Sequence, residues 1–515
     1  MKYLQEIVMV GFTILMIGCS SDGASSRVNT NQSSALTVPL DDSTNNEEYS
    51  VLYENIFKDV ATSPLSTLSI DVDTASYSNI RRYITVNHKL PPKDAVRTEE
   101  MLNYFNYSYN EPNSTQPFSI NKSIGKTLWN SKTKIIHIGI QTKNVDFSQL
   151  PASNLVFLLD VSGSMSSANK LPLLKKSIKL LVEQLREEDR VSIVVYAGSA
   201  GLILDKAKGS EKKKILDALE KLSAGGTTAG GEGIELAYKT ALEAFIHGGN
   251  NRVILATDGD FNIGKSSQRD LETLIEEKRN DGVFLTVLGF GMGNFKDNKV
   301  ETLADKGNGN YAYIDSLLEA KKVLVTEMGS TLYTVAKDVK VQVEFNPLNI
   351  SAYRLIGYEN RKLENEEFND DKKDAGEIGM GHSVTILYEV KAKDVNKSVD
   401  DLVFQDSVNT GSKEAWVNIK VRYKEPNSDT SKLVSSILKV TDKDILPEDF
   451  NFAQAVTGFS MLLRDSKFKG NLTFETLIDI SKKSKGQDKE GYREKFIEYE
   501  ERGYFSLSYR KALAI

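Results

Sequence analysis

NLVFLLDVSGS, residues 154–164, carries an apolar strand from Asn154 to Leu159 straight into an Asp-x-Ser-x-Ser turn that begins at Asp160. Uninterrupted apolar residues of this length suit a strand buried on both faces. Three further runs follow, RVSIVVYA (190–197), NRVILATD (251–258) and VFLTVLGF (283–290), each followed by helical or Gly-rich sequence. Alternation of this kind predicts an α/β fold with a doubly wound, Rossmann-like parallel sheet over residues 151–330. After the first strand, Leu171, Leu174, Ile178, Leu181 and Leu185 recur at helical spacing, a stripe that core packing explains fully.

Doubly wound sheets bind ligands outside the carboxyl ends of their strands, which is where Asp160 stands. In a tight turn, alternate residues can aim one carboxylate and two hydroxyls at a common point, and hard cations such as Mg²⁺ take oxygen ligands. Alone, Asp160, Ser162 and Ser164 are a weak signal, because Asp and Ser also dominate turns and caps. Two downstream segments strengthen it. GGTTAGGEGIELAY (225–238) places Thr228 in a T-x-x-x-x-G-I frame that opens a helix, and the strand Val253–Thr257 ends in Asp258-Gly259.

DVSGS, GTTAGGEGI and ATDGDFN, in this order, resemble the three metal-site segments of von Willebrand factor A domains. The resemblance implies a metal-ion-dependent adhesion site. Its ligands are Asp160, Ser162 and Ser164 from the first loop, Thr228 from the second, with Thr227 as the alternative, and Asp258 from the third. Mg²⁺ is the implied cation, with Mn²⁺ or Ca²⁺ as alternatives. Two carboxylates would neutralise the ion while three neutral hydroxyls leave it electrophilic, so the Asp or Glu side chain of a protein partner can complete the coordination. SIDVDTASYSNIRRY (69–83), GEIGMGHSVTILYEV (376–390) and DFNFAQAVTGFSMLLRD (449–465) further resemble a bacterial lipoprotein family in which an A domain sits between its own flanking regions.

A rival shares the third loop. Gly259 to Ser266 formally satisfies G-x-x-x-x-G-K-S between a strand and a helical stretch, which would make Lys265 and Ser266 nucleotide ligands. Against it, Asp258 and Asp260 would crowd bound phosphates with negative charge, and DVSGS and GTTAGG would be left without a shared purpose. Calcium-loop readings fail at both candidate places. Ser76 and Arg82 stand where the loop at Asp71-Val72-Asp73 needs Gly and Glu, and Ile263 and Arg269 do so in the loop from Asp258. The four histidines, His88, His137, His247 and His382, share no metal or nucleophile motif, so no catalytic constellation is expected and a binding module is favoured over an enzyme. A purely structural envelope protein stays open as a third class.

Around the central domain, period-two alternation marks half-buried strands at Ile136, Ile138 and Ile140, and again at Val339–Phe345, Val384–Val390 and Val417–Tyr423. Because they lie on both sides of the A domain, it is expected to be inserted in, or flanked by, a β-sandwich. An α+β region over 51–150 precedes it, a β-rich domain over 331–445 follows, and helices over 446–515 close the chain. His137, between Ile136 and Ile138, is expected to face outward.

At 515 residues the chain exceeds one core, and 65 Lys+Arg against 71 Asp+Glu leaves a net charge of −6, too balanced for nucleic acid to be a partner. Its single cysteine, Cys19, excludes intrachain disulfides and thiolate clusters. It follows Lys2 and the run Ile7 to Gly18, too short to span a bilayer, and Leu15-Met16-Ile17-Gly18-Cys19 resembles a lipobox. Residues 1–19 are therefore expected to be a lipoprotein signal peptide, with Cys19 as the lipidation site. Residues 20–50, rich in Ser, Asn, Thr and Asp, are expected to form a disordered tether. The expected location is the cell envelope, held to a membrane by the N-terminal lipid; Ser20 fits outer-membrane rather than inner-membrane sorting.

Overall fold

The computed structural model describes residues 47–513 except 71–72, 114–115, 145–149, 228–229, 260–267, 293–294, 330–332, 374, 394–412 and 427. The signal-peptide, lipobox and most of the tether expectations, Thr228, and Asp260 to Ser266 of the P-loop reading thus lie outside the described residues.

Before the central domain come β1 (Lys58–Asp59), β2 (Leu65–Ser69), α1 (Ala75–Thr85), α2 (Thr98–Asn103), β3 (Phe118–Lys126) and β4 (Thr133–Thr142). The central domain runs β5 (Ser153–Asp160), α3 (Leu171–Gln184), β6 (Arg190–Tyr196), β7 (Ala200–Lys208), α4 (Lys212–Glu220), α5 (Gly230–Glu243) and β8 (Asn250–Thr257). It continues through α6 (Gln268–Asn280), β9 (Phe284–Phe290), α7 (Asp297–Lys306), β10 (Tyr311–Ile314) and α8 (Leu317–Lys321). After it come β11 (Thr334–Phe345), β12 (Ile350–Ile356), β13 (Lys362–Leu363), β14 (Ile378–Gly379), β15 (Ser383–Ala392), β16 (Ala415–Lys424) and β17 (Ser431–Lys439). Helices α9 (Pro447–Arg464), α10 (Phe474–Lys483) and α11 (Tyr492–Leu513) end the chain.

The central sheet has the order β10-β9-β8-β5-β6-β7, parallel throughout except for β7 against β6. Alternate residues of β5 serve its two faces. Leu155, Phe157 and Leu159 pack with the Leu171, Leu174 and Ile178 stripe of α3, while Val156 and Leu158 pack with Ile234, Ala237 and Tyr238 of α5. Burial on both sides is why the strand is apolar at every position rather than at alternate ones.

The flanking strands form two antiparallel sheets, β1-β12-β15-β4-β3 and β13-β2-β11-β16-β17, with β14 paired to β11. Each sheet mixes strands from before and after the central domain: β4 pairs with β15 in the register Ile138↔Ile386, and β2 with β11 in the register Leu68↔Val341. Ile136, Ile138 and Ile140 share one core with Val341, Val343, Val384, Ile386, Ile419 and Val421. The α/β domain is therefore inserted into a β-sandwich. Where the chain enters and leaves it, Ser153 Oγ and Tyr333 Oη lie 2.7 Å apart, and Tyr333 Oη also donates to the Pro151 carbonyl at 3.0 Å.

One expectation is corrected here. The β4 and β15 face turned away from the sandwich is not wet, because α2 and α9 cover it: Ile135 and Leu387 pack with Met101, Leu102 and Phe452. His137 is fully buried, its Nε2 2.8 Å from Tyr109 Oη, and its ring stacks on Phe450. Burial holds the imidazole down at about 3, so it is a neutral packing residue at physiological pH.

Candidate metal centre

Three loops meet beyond the carboxyl ends of β5, β6 and β8. Val161 N–H donates to the Tyr196 carbonyl at 3.0 Å, which ties the first loop to β6. Gly225 N–H donates to Val161 O at 2.8 Å and Gly163 N–H to Gly226 O at 3.0 Å, which tie it to the second loop. In the third, Gly259 has φ +86°, and a Cβ there would lie 2.8 Å from Lys296 N, so only glycine allows the chain to turn sharply after Asp258.

Asp160 is fully buried at the end of β5. Its Oδ1 accepts from Ser162 N–H at 2.9 Å, and its Oδ2 from Tyr196 Oη at 3.1 Å and Thr257 Oγ1 at 3.4 Å. Burial pushes the Asp160 carboxyl up to about 6, opposed by the Ser162 hydrogen bonds and reinforced by the Asp258 charge. Ser162 Oγ lies 3.0 Å from the exposed Ser164 Oγ. Asp258 is 5% exposed, and its Oδ2 accepts from the Lys170 ammonium at 2.8 Å. Thr227, exposed in the second loop, holds its hydroxyl 3.7 Å from the position a Cβ on Gly198 would take.

This donor set fits a hard cation. Its side-chain groups are two carboxylates and two hydroxyls, all oxygen; one carboxylate already carries an ammonium, and burial makes the ionised form of the other costly without added positive charge. The structure describes four of the five residues singled out in the sequence, Asp160, Ser162, Ser164 and Asp258, on the two loops that leave β5 and β8. Tyr196, Thr257 and Lys170 escaped the sequence reading. The first two end the strands beside and next to β5, a position that could have flagged them; nothing in NKLPLL marks Lys170.

Carboxylates converge a second time, away from that edge. Asp73, Glu100 and Glu301 bring ligand atoms within 4.8 Å of one another, all buried. Here guanidinium groups interleave them. Arg97 pairs with Glu100, with Asp297 at 2.6 Å and with Glu301 at 3.7 Å, and Arg361 pairs with Asp73 at 3.3 Å and Glu301 at 3.2 Å. Asp73 Oδ1 also accepts from the Tyr311 N–H of edge strand β10 at 2.8 Å, and Glu100 from Ser76 N–H at 2.8 Å. The cluster joins α1 and α2 to the central domain.

Family models match the chain in three consecutive stretches: "von Willebrand factor" at 43–137, "von Willebrand factor type A domain" at 154–326, and "Uncharacterized protein YfbK, C-terminal" at 330–502. The uncharacterized protein YfbK of Escherichia coli K12 is 42% identical over 461 residues, covering 87% of this chain and 80% of that protein. The chain belongs to the YfbK family. This places it among bacterial von Willebrand factor A proteins with their own flanking regions, and the shared stretch includes both the A domain and the sandwich around it. Human inter-alpha-trypsin inhibitor heavy chain H3 is 23% identical over 265 residues, 48% of this YfbK-family chain and 29% of that protein. Among solved structures, a von Willebrand factor type A protein from Catenulispora acidiphila matches with a TM-score of 0.40 at 15% identity, over 73% of this chain and 89% of that one. BatB from Bacteroides thetaiotaomicron matches with a TM-score of 0.30 at 23% identity, over 34% and 97%. Von Willebrand factor A domains mediate protein–protein interactions and commonly bind a divalent metal.

Proposed function

We propose that this chain is a cell-envelope lipoprotein that binds a protein partner through a divalent cation, with an Asp or Glu of the partner completing the coordination. The observation that carries the reading is the convergence of Asp160, Ser162, Ser164 and Asp258 at one edge of the parallel sheet, where the Ser164 hydroxyl is exposed to an incoming group. Asp160, Ser162, Ser164 and Asp258 would hold Mg²⁺ together with Thr228, or Thr227 in its place. When bound, the ion supplies a Lewis-acidic position for a carboxylate. The chain's own part is to hold those oxygens in place: Tyr196 and Thr257 orient Asp160, and the backbone ties between the first and second loops fix the two serines. Beside Ser164, a groove of about 470 Å³ is lined by Met165, Leu171 and Leu222; at its rim Lys175 pairs with Glu220 at 3.7 Å, and the exposed Lys176 is the charge it offers an acidic partner.

Cys19 is proposed as the lipidated residue and the outer membrane as the site of anchoring, with the tether ending before residue 47 rather than at 50, because Glu47 pairs with Arg82 at 2.6 Å and Glu48 with Lys296 at 2.6 Å. No helix among the described residues is long and apolar enough to cross a membrane.

Isothermal titration of the full chain with MgCl2, and pull-down in Mg²⁺ against EDTA, test the binding reading. Asp160→Ala is expected to lose both the cation and the Mg²⁺-dependent capture; cation-independent capture that survives Asp160→Ala overturns it. Metabolic labelling with a fatty acid, lost in Cys19→Ser, tests the anchor.

A further inference from the structure

Lys170 is built into the candidate metal centre by two elements that the ligand motifs do not include. Its backbone stands at the start of α3, where its N–H donates to Ser167 O at 2.9 Å and its carbonyl accepts from Leu174 N–H at 2.8 Å. Its side chain then crosses to the third loop, and its ammonium meets Asp258 Oδ2 at 2.8 Å with both side chains mostly buried, 13% and 4% exposed. The methylene stem lies over Gly291, just past β9. Gly291 has φ +80°, and a Cβ there would come 2.3 Å from Lys170 Cε and 2.7 Å from Cγ. The arm thus packs against bare backbone at Gly291 and both charged groups are mostly buried, which distinguishes the pair from a lysine resting on a surface carboxylate.

We infer that Lys170 is an internal counter-cation of the metal centre, which a divalent ion must displace from Asp258 and which thereby sets the threshold of cation at which the site loads. The inference rests on the proposed cation site at Asp160 and Asp258. An ammonium and a divalent ion on one buried carboxylate repel each other strongly, because little water lies between them to screen the charges. Lysine suits this role better than arginine, since its single point charge sits on a flexible four-carbon stem and can leave without breaking a bidentate fork. Once displaced, the ammonium moves to the rim of the same site, where a partner's carboxylate arrives. Loading the cation and raising the local attraction for an acidic group then become one event.

The test is a MgCl2 titration by calorimetry on the full chain, comparing wild type, Lys170→Met and Asp160→Ala, with thermal melts to establish that each variant folds. Lys170→Met keeps the stem and removes the charge, and is expected to bind Mg²⁺ about tenfold more tightly than wild type. Unchanged or weakened binding in Lys170→Met, with binding lost in Asp160→Ala, overturns the role of Lys170 and leaves the cation site standing. Binding that persists in Asp160→Ala overturns the site itself. A second measurement does not depend on the variant: acetylation of Lys170 by a limiting amine reagent, read by peptide mass spectrometry, is expected to rise several-fold when wild type is saturated with Mg²⁺ and to stay flat in Asp160→Ala. Protection of Lys170 that is indifferent to Mg²⁺ in wild type that binds the ion also overturns the role.

Discussion

At the edge of the central sheet Asp160 and Asp258 are partnered by hydroxyls, a backbone N–H and one lysine, whereas at the junction with α1 and α2 Asp73, Glu100, Asp297 and Glu301 are interleaved with Arg97 and Arg361. Both regions bury carboxylates, which costs free energy unless opposite charge is supplied. At the junction it is supplied by planar, permanently charged guanidinium groups that each bridge several carboxylates, and the cluster serves as a fixed clasp. At the edge, among the described residues, Lys170 supplies positive charge on a long flexible arm, with an exposed serine hydroxyl alongside, and the proposed role of the cluster is to exchange that counter-charge. An acidic cluster is thus read by its counter-ions more than by its acids.

The largest effect is expected at the clasp. Arg97→Ala leaves Asp297 and Glu100 buried without their guanidinium and is expected to destabilise the chain by about 3–5 kcal/mol, measured by denaturant unfolding and independent of Mg²⁺. At the edge, Asp160→Ala is expected to weaken Mg²⁺ binding by about a hundredfold or more in calorimetry, while moving the melting temperature in EDTA far less than Arg97→Ala does. A smaller effect separates the clasp from its neighbour Glu99, which burial and then the nearby Glu359 push up to about 8. The native chain keeps a proton there that an unfolded glutamate, near its ordinary value of 4.5, gives up, so native stability is lost as pH rises from about 4.5 to about 8. Glu99→Gln should match wild type below that window and melt above it at alkaline pH; parallel melting curves at both pH values would contradict this. Least of all, Lys176→Glu, on the exposed rim of the groove, should slow partner association a few-fold at low salt without altering Mg²⁺ affinity, as read by surface plasmon resonance.

The central sheet was legible because its strands announce themselves locally. Leu155 to Leu159 and Val253 to Thr257 are apolar runs, and the stripe from Leu171 to Leu181 keeps a helical period. Asp160, Ser162, Ser164 and Asp258 were legible for a related reason, since each follows a strand whose end is set by those runs. The clasp was not legible: Arg97 reaches Asp297 across 200 residues and Arg361 reaches Asp73 across 288, and a single sequence reports only local periodicity. His137 was misread for the same cause. Alternation showed correctly that it leaves the sandwich core, but α9, more than 300 residues away, supplies the second layer that buries it. Lys170 eluded the reading because a lysine before a helix is ordinarily solvated, and its packing against Gly291 and Asp258 joins positions 121 and 88 residues away.

The contact between Ser153 and Tyr333 bears on how the molecule carries load. The chain enters and leaves the inserted domain at one point, pinned across 2.7 Å, and the eight residues of β5 run from that pin to Asp160, about 23 Å away. If a partner is held at Asp160 as proposed, its pull would travel down a central strand flanked by β6 and β8 toward the pinned entry point. Tension along β5 would load the β5–β6 and β5–β8 hydrogen-bond ladders in shear, many bonds together, instead of unzipping them one at a time.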